Sequence, residues 1–563
     1  MAQVDWAAFV PGLEDDFSGE DPGGPSSLEE AVETGEQVLD LVGGIAADVV
    51  APTAGEVDVQ GCRLEDGRVR YAPATEAHLA ALREAGLFGF CIERRYGGQN
   101  LPVTLYTASV EVVSRADASL MTLYALQGCG DTIQSFASEE VKRRWLPGIA
   151  SGELSCCMSL TEPDAGSALG SVRCAATPVD EARGLFRLDG RKTFATNGGA
   201  DVVLVLARSE PGTTDARGLS LFLVPRSDRV VVEKLEEKMG LHGSPTASLL
   251  LDGAEGFLVG ERRRGLSTYV LALIHASRLE IAAQATGVAQ AALSATARYV
   301  AERRQFGRPI EAFSPVRRQV LEMELLVQAS RNLTYRSSQV MDRLRSVSRR
   351  LARRPGDARA PAWDEERRRL ERLENVLTPL AKAYAAEAGN AACYRAVQLH
   401  GGYGYVREYP VERHYRDVRI TPIYEGTTEI QVGGIVDRIA AGGAEEVVAE
   451  VSRGLRADPE DAPARARFEA GVEATRRAAA WLAGVKADKA LVQLRARAMS
   501  EMLGDLVAGA EFLRHAPLDD RKRTLAHAFL ADAERRWEQG LSEVVDGDRT
   551  AIDGWDAVVA PYR

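Results

Sequence analysis

Residues 154–259 break the hydrophobic rhythm of everything around them, and that break constrains the fold most. Phe186 and Leu188 alternate with polar residues up to Asp189-Gly190, which reads as a turn. Short apolar or β-branched runs follow at 202–207, 219–224, 230–232 and 249–251, separated by Gly, Pro and Asp. Such runs are strands of a small barrel or sandwich. They do not alternate with long helices, so a doubly wound nucleotide-binding sheet is disfavoured.

On either side the period is helical. Ser27, followed by Glu29 and Glu30, reads as a capped helix start, and residues 75–85 place Leu79, Leu82 and Ala85 on one face. Residues 95–102 form a loop by their breakers. Long helices return from about residue 265. One of them carries Ala282, Ala283, Ala285, Gly287, Ala289, Ala291 and Ala292, a surface small enough for close helix packing in a bundle. Residues 343–372 interrupt this region with arginine pairs, Pro355-Gly356, Pro361 and mixed charges, and read as a solvated insertion between two bundle helices. Amphipathic Ala/Arg/Glu/Leu patterning then runs to the end. The fold class is therefore multidomain α+β. An N-terminal helical domain (1–153) is followed by a β-domain (154–262), a helical bundle (263–443, with the Arg-rich stretch at about 343–372) and an appended helical domain (444–563).

The charge balance, 69 basic against 81 acidic residues, gives −12 and a poor start for nucleic-acid binding. The seven cysteines are odd in number and lack C-x-x-C spacing, which fits buried thiols in a reducing compartment. The first residues carry no signal-peptide pattern, and no uninterrupted apolar run reaches the roughly 18 residues of a membrane span. A cytoplasmic protein without a membrane segment is the expectation. The histidines are scattered without ligand spacing, so no metal site is expected.

Four distant segments could carry chemistry. In residues 158–167, hydroxyls and glycine beside Pro163 offer donors to an anion or a heteroaromatic ring, although such loops are common. Phe194-Ala195-Thr196-Asn197-Gly198 could stack on a ring and hydrogen-bond to it, or could be a core Phe with a turn. Residues 398–405 contain a G-G-x-G string but follow a helix, so the dinucleotide fingerprint fails its context, and a helix-ending glycine is the alternative. In residues 423–431, Glu425 stands between Tyr424 and Gly426, where an apolar slot would raise its pKa toward the range of a general base; a solvated loop glutamate is the default.

Taken in order, these segments resemble the acyl-CoA dehydrogenase family over roughly residues 75–440. Further matching phrases are Trp145-Leu146-Pro147-Gly148, Lys238-Met239-Gly240-Leu241-His242-Gly243 and Arg303-Arg304-Gln305-Phe306-Gly307. The resemblance implies an N-terminal helical domain, a β-domain and a C-terminal four-helix bundle, with FAD bound between the last two. It implies that Met158, Leu160, Thr161 and Ser167 lie beside the flavin ring, with Phe194 and Thr196 covering it. Arg303, Gln305, Phe306, Gln398, Gly401 and Gly402 would hold the pyrophosphate and adenosine, typically of a neighbouring subunit's FAD, which implies a homo-oligomer. Thr427 and Glu429 fall among the cofactor-binding positions. Ser167, Tyr424, Gly426 and Arg278 fall among the substrate-binding ones.

By the same resemblance, Glu425 matches the base that removes the α-proton of an acyl-CoA thioester. Its own backbone N–H and a flavin ribityl hydroxyl would steady the thioester oxygen. Flavin N5 would take the β-hydrogen as hydride, giving the trans-2-enoyl-CoA, with electrons leaving to an electron-transfer flavoprotein. Arg278 matches an arginine near the base, and Ser277 holds the position from which some relatives supply the base instead. Phe194 stands where the family usually has Trp. The length resembles a subfamily acting on long-chain or unusual acyl-CoAs, including methylmercaptopropionyl-CoA. Two alternatives are a flavin-bearing, nucleic-acid-associated homologue of the alkylation response, suggested by the Arg-rich stretch, and an O2-using relative such as the nitroalkane oxidases. The latter carry Asp where this chain has Glu425.

Overall fold

The structure, a computed structural model, describes residues 4–19, 23–455 and 458–563. In the N-terminal part, short helical turns that include Val10–Leu13 precede the first long helix, α1 (Leu28–Ile45). The Ser27 hydroxyl accepts the Glu30 N–H at 3.2 Å, and the Glu30 carboxylate reaches back to the Ser26 N–H at 2.6 Å, a reciprocal cap displaced by one residue. Helical structure continues through tighter and wider turns to Gln60. By length and composition, Leu28–Gln60 is apolar enough to cross a membrane, which a count of consecutive apolar residues overlooks. Its Val42, Ala46 and Val50 are buried in the N-terminal core with Tyr106 and Val110 of α3. The remaining helices here are α2 (Pro73–Glu84), α3 (Val103–Ala116), α4 (Ala118–Tyr124), α5 (Gly128–Phe136) and α6 (Glu139–Ala150).

The middle is a seven-stranded sheet: β1 (Cys156–Ser159), β2 (Ala175–Asp180), β3 (Leu185–Thr196), β4 (Val202–Arg208), β5 (Leu219–Pro225), β6 (Val230–Leu235) and β7 (Thr246–Val259). The order is β1-β3-β2-β4-β5-β7-β6, and extra β3–β7 and β1–β4 pairings curl it on itself as a small barrel. Residues 202–207 of β4 are buried on both faces, which explains their unbroken apolar run. The Asp189-Gly190 turn expected from sequence is instead a bulge inside β3. The register to β7 shifts between Leu188 and Asp189, and a Cβ on Gly190 (φ +152°) would meet Cys174 Cα at 2.8 Å.

The bundle comprises α7 (Leu271–Glu302), α8 (Ser314–Arg353), α9 (Ala360–His400), α10 (Val411–Val418) and α11 (Thr428–Arg438). The small-residue face of α7 lets backbones approach: a Cβ on Gly287 would meet Glu111 O at 2.4 Å, and one on Gly389 would meet Ala285 O at 3.0 Å.

The solvated insertion expected over 343–372 is corrected by the structure. Helices α8 and α9 run through it and turn over at residues 354–359. Its arginines have partners far away in sequence. Arg343 and Arg369 reach Glu450 at 2.7 and 2.9 Å, and Arg345 pairs with Asp131. Arg349 donates to Leu13 O at 3.1 Å and to Asn100 Oδ1 at 2.7 Å, and Arg350 pairs with Asp16 at 2.7 Å. Beyond the bundle, α12 (Ala444–Ser452), α13 (Ala462–Gly484), α14 (Ala496–His515) and α15 (Asp520–Val545) share one continuous apolar core with it. Trp537 anchors them, donating its indole N–H to Met502 O at 3.0 Å.

Candidate active site

Four elements meet at a narrow cleft of about 50 Å³: the α4–α5 corner, the N-terminal half of α7, the loop before α11, and the edge of the sheet. Met158, Thr196, Ser277, Glu280, Tyr424 and Glu425 are among its lining. Met158 sits on β1 opposite Thr196 on β3, so one cross-strand pair forms the sheet side of the cleft.

Glu425 is half-buried, and its backbone is left-handed at φ +54°, a strained choice for a residue with a Cβ. Several bonds hold it there. Buried Lys382 of α9 donates to Gly426 O at 2.7 Å, and Gln431 donates to the carbonyls of Glu425 and Gly426, both at 3.0 Å. Gly426 (φ +90°) adopts a conformation that favours glycine, and a Cβ there would meet Gln431 Nε2 at 2.6 Å and displace the amide that braces the loop. Ser277 Oγ donates to Glu425 Oε2 at 3.0 Å, while among the described residues no protein donor engages Oε1 and the Glu425 N–H finds no protein acceptor. Burial pushes the Glu425 carboxyl above the ordinary carboxylate value, against the Ser277 hydrogen bond and the Arg278 and Lys382 charges. The same burial brings Lys382 down to about 8 and lowers Arg278, whose Nε is buried without a partner among the described residues. Tyr424 donates to Gln284 on α7, which in turn donates to Ala118 O at 3.1 Å.

The 158–167 segment is fixed from beneath. Lys192 Nζ, fully buried, donates to Glu162 Oε1 at 2.9 Å and to Leu160 O at 3.0 Å. Glu162 also accepts the N–H groups of Arg173 and Cys174, at 2.7 and 2.9 Å. On this frame Leu160 is buried, Thr161 half-buried and Ser167 exposed. Phe194 has φ +55°, and its side chain is 63% exposed, so a strained backbone presents an open aromatic face.

The other predicted ligands lie elsewhere. Arg303, Gln305, Gln398, Gly401 and Gly402 line a second cleft of about 630 Å³, with the Arg303 guanidinium 5.3 Å from the Tyr403 ring centroid. Phe306 stands out from the short hairpin after α7, 92% exposed. His400 at this cleft's floor is structural: its ring stacks on Tyr299 at 4.1 Å and bonds Ala396 O at 2.7 Å. Thr427 and Glu429 line neither cleft. Thr427 caps α11 by accepting the Ile430 N–H at 3.4 Å, and Glu429 pairs with Arg497 at 3.3 Å.

Sequence profiles of the acyl-CoA dehydrogenase N-terminal, middle and C-terminal domains match residues 33–153, 157–254, and 264–355 with 357–440. The chain belongs to the acyl-CoA dehydrogenase family. It is 33% identical over 478 residues to the 3-methylmercaptopropionyl-CoA dehydrogenase of Ruegeria pomeroyi, covering 77% of this chain and 78% of that one. It is 31% identical over 362 residues to the caffeyl-CoA reductase-Etf complex subunit CarC of Acetobacterium woodii, covering 63% and 86%. The crystal structure of acyl-CoA dehydrogenase complexed with FAD from Bacillus anthracis superposes with a TM-score of 0.76 at 22% identity, over 96% of this chain and 91% of that one. At that identity the likeness concerns the fold, and it includes the helices beyond residue 440.

This acyl-CoA dehydrogenase family member is thus an oxidoreductase of a FAD-binding family. Its residues fit the cofactor. The exposed Phe194 face, beside the Met158–Thr196 pair, is a platform for a planar ring system, and the Arg303 cleft supplies a guanidinium suited to a pyrophosphate. Sequence reasoning missed Lys192, Glu162, Lys382, Gln431 and Glu280. The first four are buried partners of loops, with no local pattern to mark them. Glu280 carried one overlooked signal, a charge on the apolar face of a helix.

Proposed function

We propose that the protein is a FAD-dependent acyl-CoA dehydrogenase that removes the α-proton of an acyl-CoA with Glu425 and yields the trans-2-enoyl-CoA. One observation carries the reading: Glu425 faces the Met158–Thr196 platform across a narrow protein-lined cleft, with one carboxylate oxygen steadied by Ser277 and the other open.

A Cα–H beside a thioester is a weak acid, so the base alone is insufficient. The unpaired N–H of Glu425 is available to the thioester oxygen, where it would stabilise negative charge as the proton leaves. Withdrawal from water lifts the basicity of the carboxylate and strengthens that hydrogen bond. Arg278 and Lys382 oppose the lift and so favour the ionised form of Glu425. Bound FAD supplies the acceptor for the β-hydrogen. Met158, Leu160, Thr161, Ser167, Phe194 and Thr196 would hold it on the sheet side. Ser277 and Tyr424 shape the opposite wall and fix the direction of approach.

The second cleft gives this reading its quaternary expectation. The Arg303 and Glu425 clefts are separate on one chain, so Arg303, Gln305, Gln398, Gly401 and Gly402 serve the flavin of a second copy, making a homo-oligomer. Glu425 rather than Asp favours dehydrogenation over O2 use, with an electron-transfer flavoprotein as acceptor and cytoplasmic acyl-thioester metabolism as setting. The nucleic-acid reading loses its motive, since Arg343, Arg345, Arg350 and Arg369 are ion-paired within the chain. The deciding experiment mixes the holoenzyme anaerobically with an acyl-CoA panel. Bleaching of the flavin by at least one member is expected, and a flavin left oxidised by all of them rejects the proposal.

A further inference from the structure

Glu280 is an acid on the wall of the cleft that the reaction above does not use. It lies three residues after Ser277 on α7, one turn and about 4.5 Å along the axis from the residue that holds the base. Only 7% of it is exposed. It lines the Glu425 cleft and also a smaller inner cavity behind it, which Arg345 and Asp131 border, so it stands at the partition between the two. Gly128 leaves room for it: a Cβ there would meet Glu280 Oε1 at 3.0 Å.

The hydrogen bonding is one-sided. The Tyr106 hydroxyl donates to Ala125 O at 3.0 Å and lies 3.1 Å from Glu280 Oε1. Among the described residues nothing bonds Oε2. The neighbouring cations lie beside other carboxylates: Asp131 pairs with Arg345, and the Arg278 and Lys382 charges act on Glu425. Among the described residues no cation bonds Glu280. Burial, with Glu425 and Asp131 nearby, raises its pKa to about 8, which favours the neutral acid and leaves Oε2 as a buried oxygen without a protein partner.

Resting on the acyl-CoA reading, we propose that Glu280 determines substrate specificity, and that the preferred acyl chain carries a neutral hydroxyl a few bonds beyond the reacting carbons. A plain alkyl chain would leave Oε2 buried without a partner, whereas a hydroxyl can bond it whichever of the two groups holds the proton. A cationic tail is disfavoured because Arg278, Lys382 and Arg345 already outnumber Glu425 and Asp131 there.

The test measures equilibrium binding to the holoenzyme, independent of turnover. Calorimetry compares trans-2-hexenoyl-CoA with its analogues hydroxylated at C4, C5 or C6. At least one hydroxylated ligand should bind roughly tenfold tighter than the parent. Glu280→Leu should abolish that ratio, and Glu280→Gln, whose amide still donates, should keep most of it. The proposal is overturned if the parent binds wild type as tightly as every analogue, or if Glu280→Leu leaves the ratio intact. Should Glu280→Leu fail to fold, the wild-type and Glu280→Gln ratios still decide. Tighter analogue binding without flavin bleaching by the saturated acyl-CoAs sinks the dehydrogenase reading alone, and failure to bind any ligand sinks both.

Discussion

Ser277 on α7 and Glu425 on the loop before α11, 148 residues apart, share a hydrogen bond of 3.0 Å that leaves one carboxylate oxygen free toward the cleft. Replacing the acceptor tests the chemistry most directly. Glu425→Gln is nearly isosteric and keeps both an acceptor and a contact for Ser277, but cannot take a proton. Turnover should fall by roughly 10³-fold or more, with flavin content and thermal midpoint unchanged. Anaerobic stopped-flow bleaching reads this, and a normal rate would exclude Glu425 as the base.

The pH profile has a defined sign. Glu425 works ionised, so kcat/KM rises with pH along its acidic limb, whose midpoint lies above the ordinary carboxylate value because of burial. Ser277 stabilises the ionised form. Ser277→Ala should therefore move that limb to higher pH, with a smaller loss at alkaline pH than at pH 6. A limb that stays put or moves to lower pH would contradict the pairing.

Phe194 is tested through flavin retention. Removing an aromatic platform forfeits about 0.5–1.5 kcal/mol, so Phe194→Ala should weaken FAD binding roughly 2- to 10-fold. The ratio of flavin to protein absorbance after gel filtration of dilute enzyme measures it. Undiminished retention would remove Phe194 from the flavin site.

Glu450 joins the Arg-rich helix tips to α12. Its side chain is 1% exposed; burial alone would raise its pKa, but Arg343, Arg369 and Arg336 overcome this and hold it at about 2. A depressed carboxylate stabilises the fold above its unfolded value near 4.5, and that stability disappears as pH falls toward 2. Glu450→Gln leaves buried guanidinium groups without their counter-charge and should lose about 3–5 kcal/mol at pH 7. The gap in denaturation midpoint between variant and wild type should narrow steadily below pH 4.5. A pH-independent gap would mean the loss is one of packing.

Much of this architecture is written locally. The strand runs around 202–207 and 219–224, the capped start at Ser27 and the small face near Gly287 each announce themselves within a few residues. Asp189-Gly190 misleads because a bulge and a turn ask for the same glycine. The Arg-rich stretch misleads for another reason: its partners, Asp16, Asp131 and Glu450, lie more than 75 positions from the arginines they bind, where no local pattern reaches. The site divides in the same way. Glu425, Met158 and Thr196 are marked by their phrases. Lys382, Gln431 and Lys192 act only through carbonyls and carboxylates that tertiary packing brings to them.

The ion pair sealed under residues 158–167 has a kinetic consequence. With Lys192 gripping both Glu162 and the Leu160 carbonyl, this segment is already set in shape before an isoalloxazine docks, so little chain entropy is surrendered on docking. Reconstitution of the apoprotein should then be gated by encounter between copies of the chain rather than by loop ordering, and its half-time should shorten as protein concentration rises.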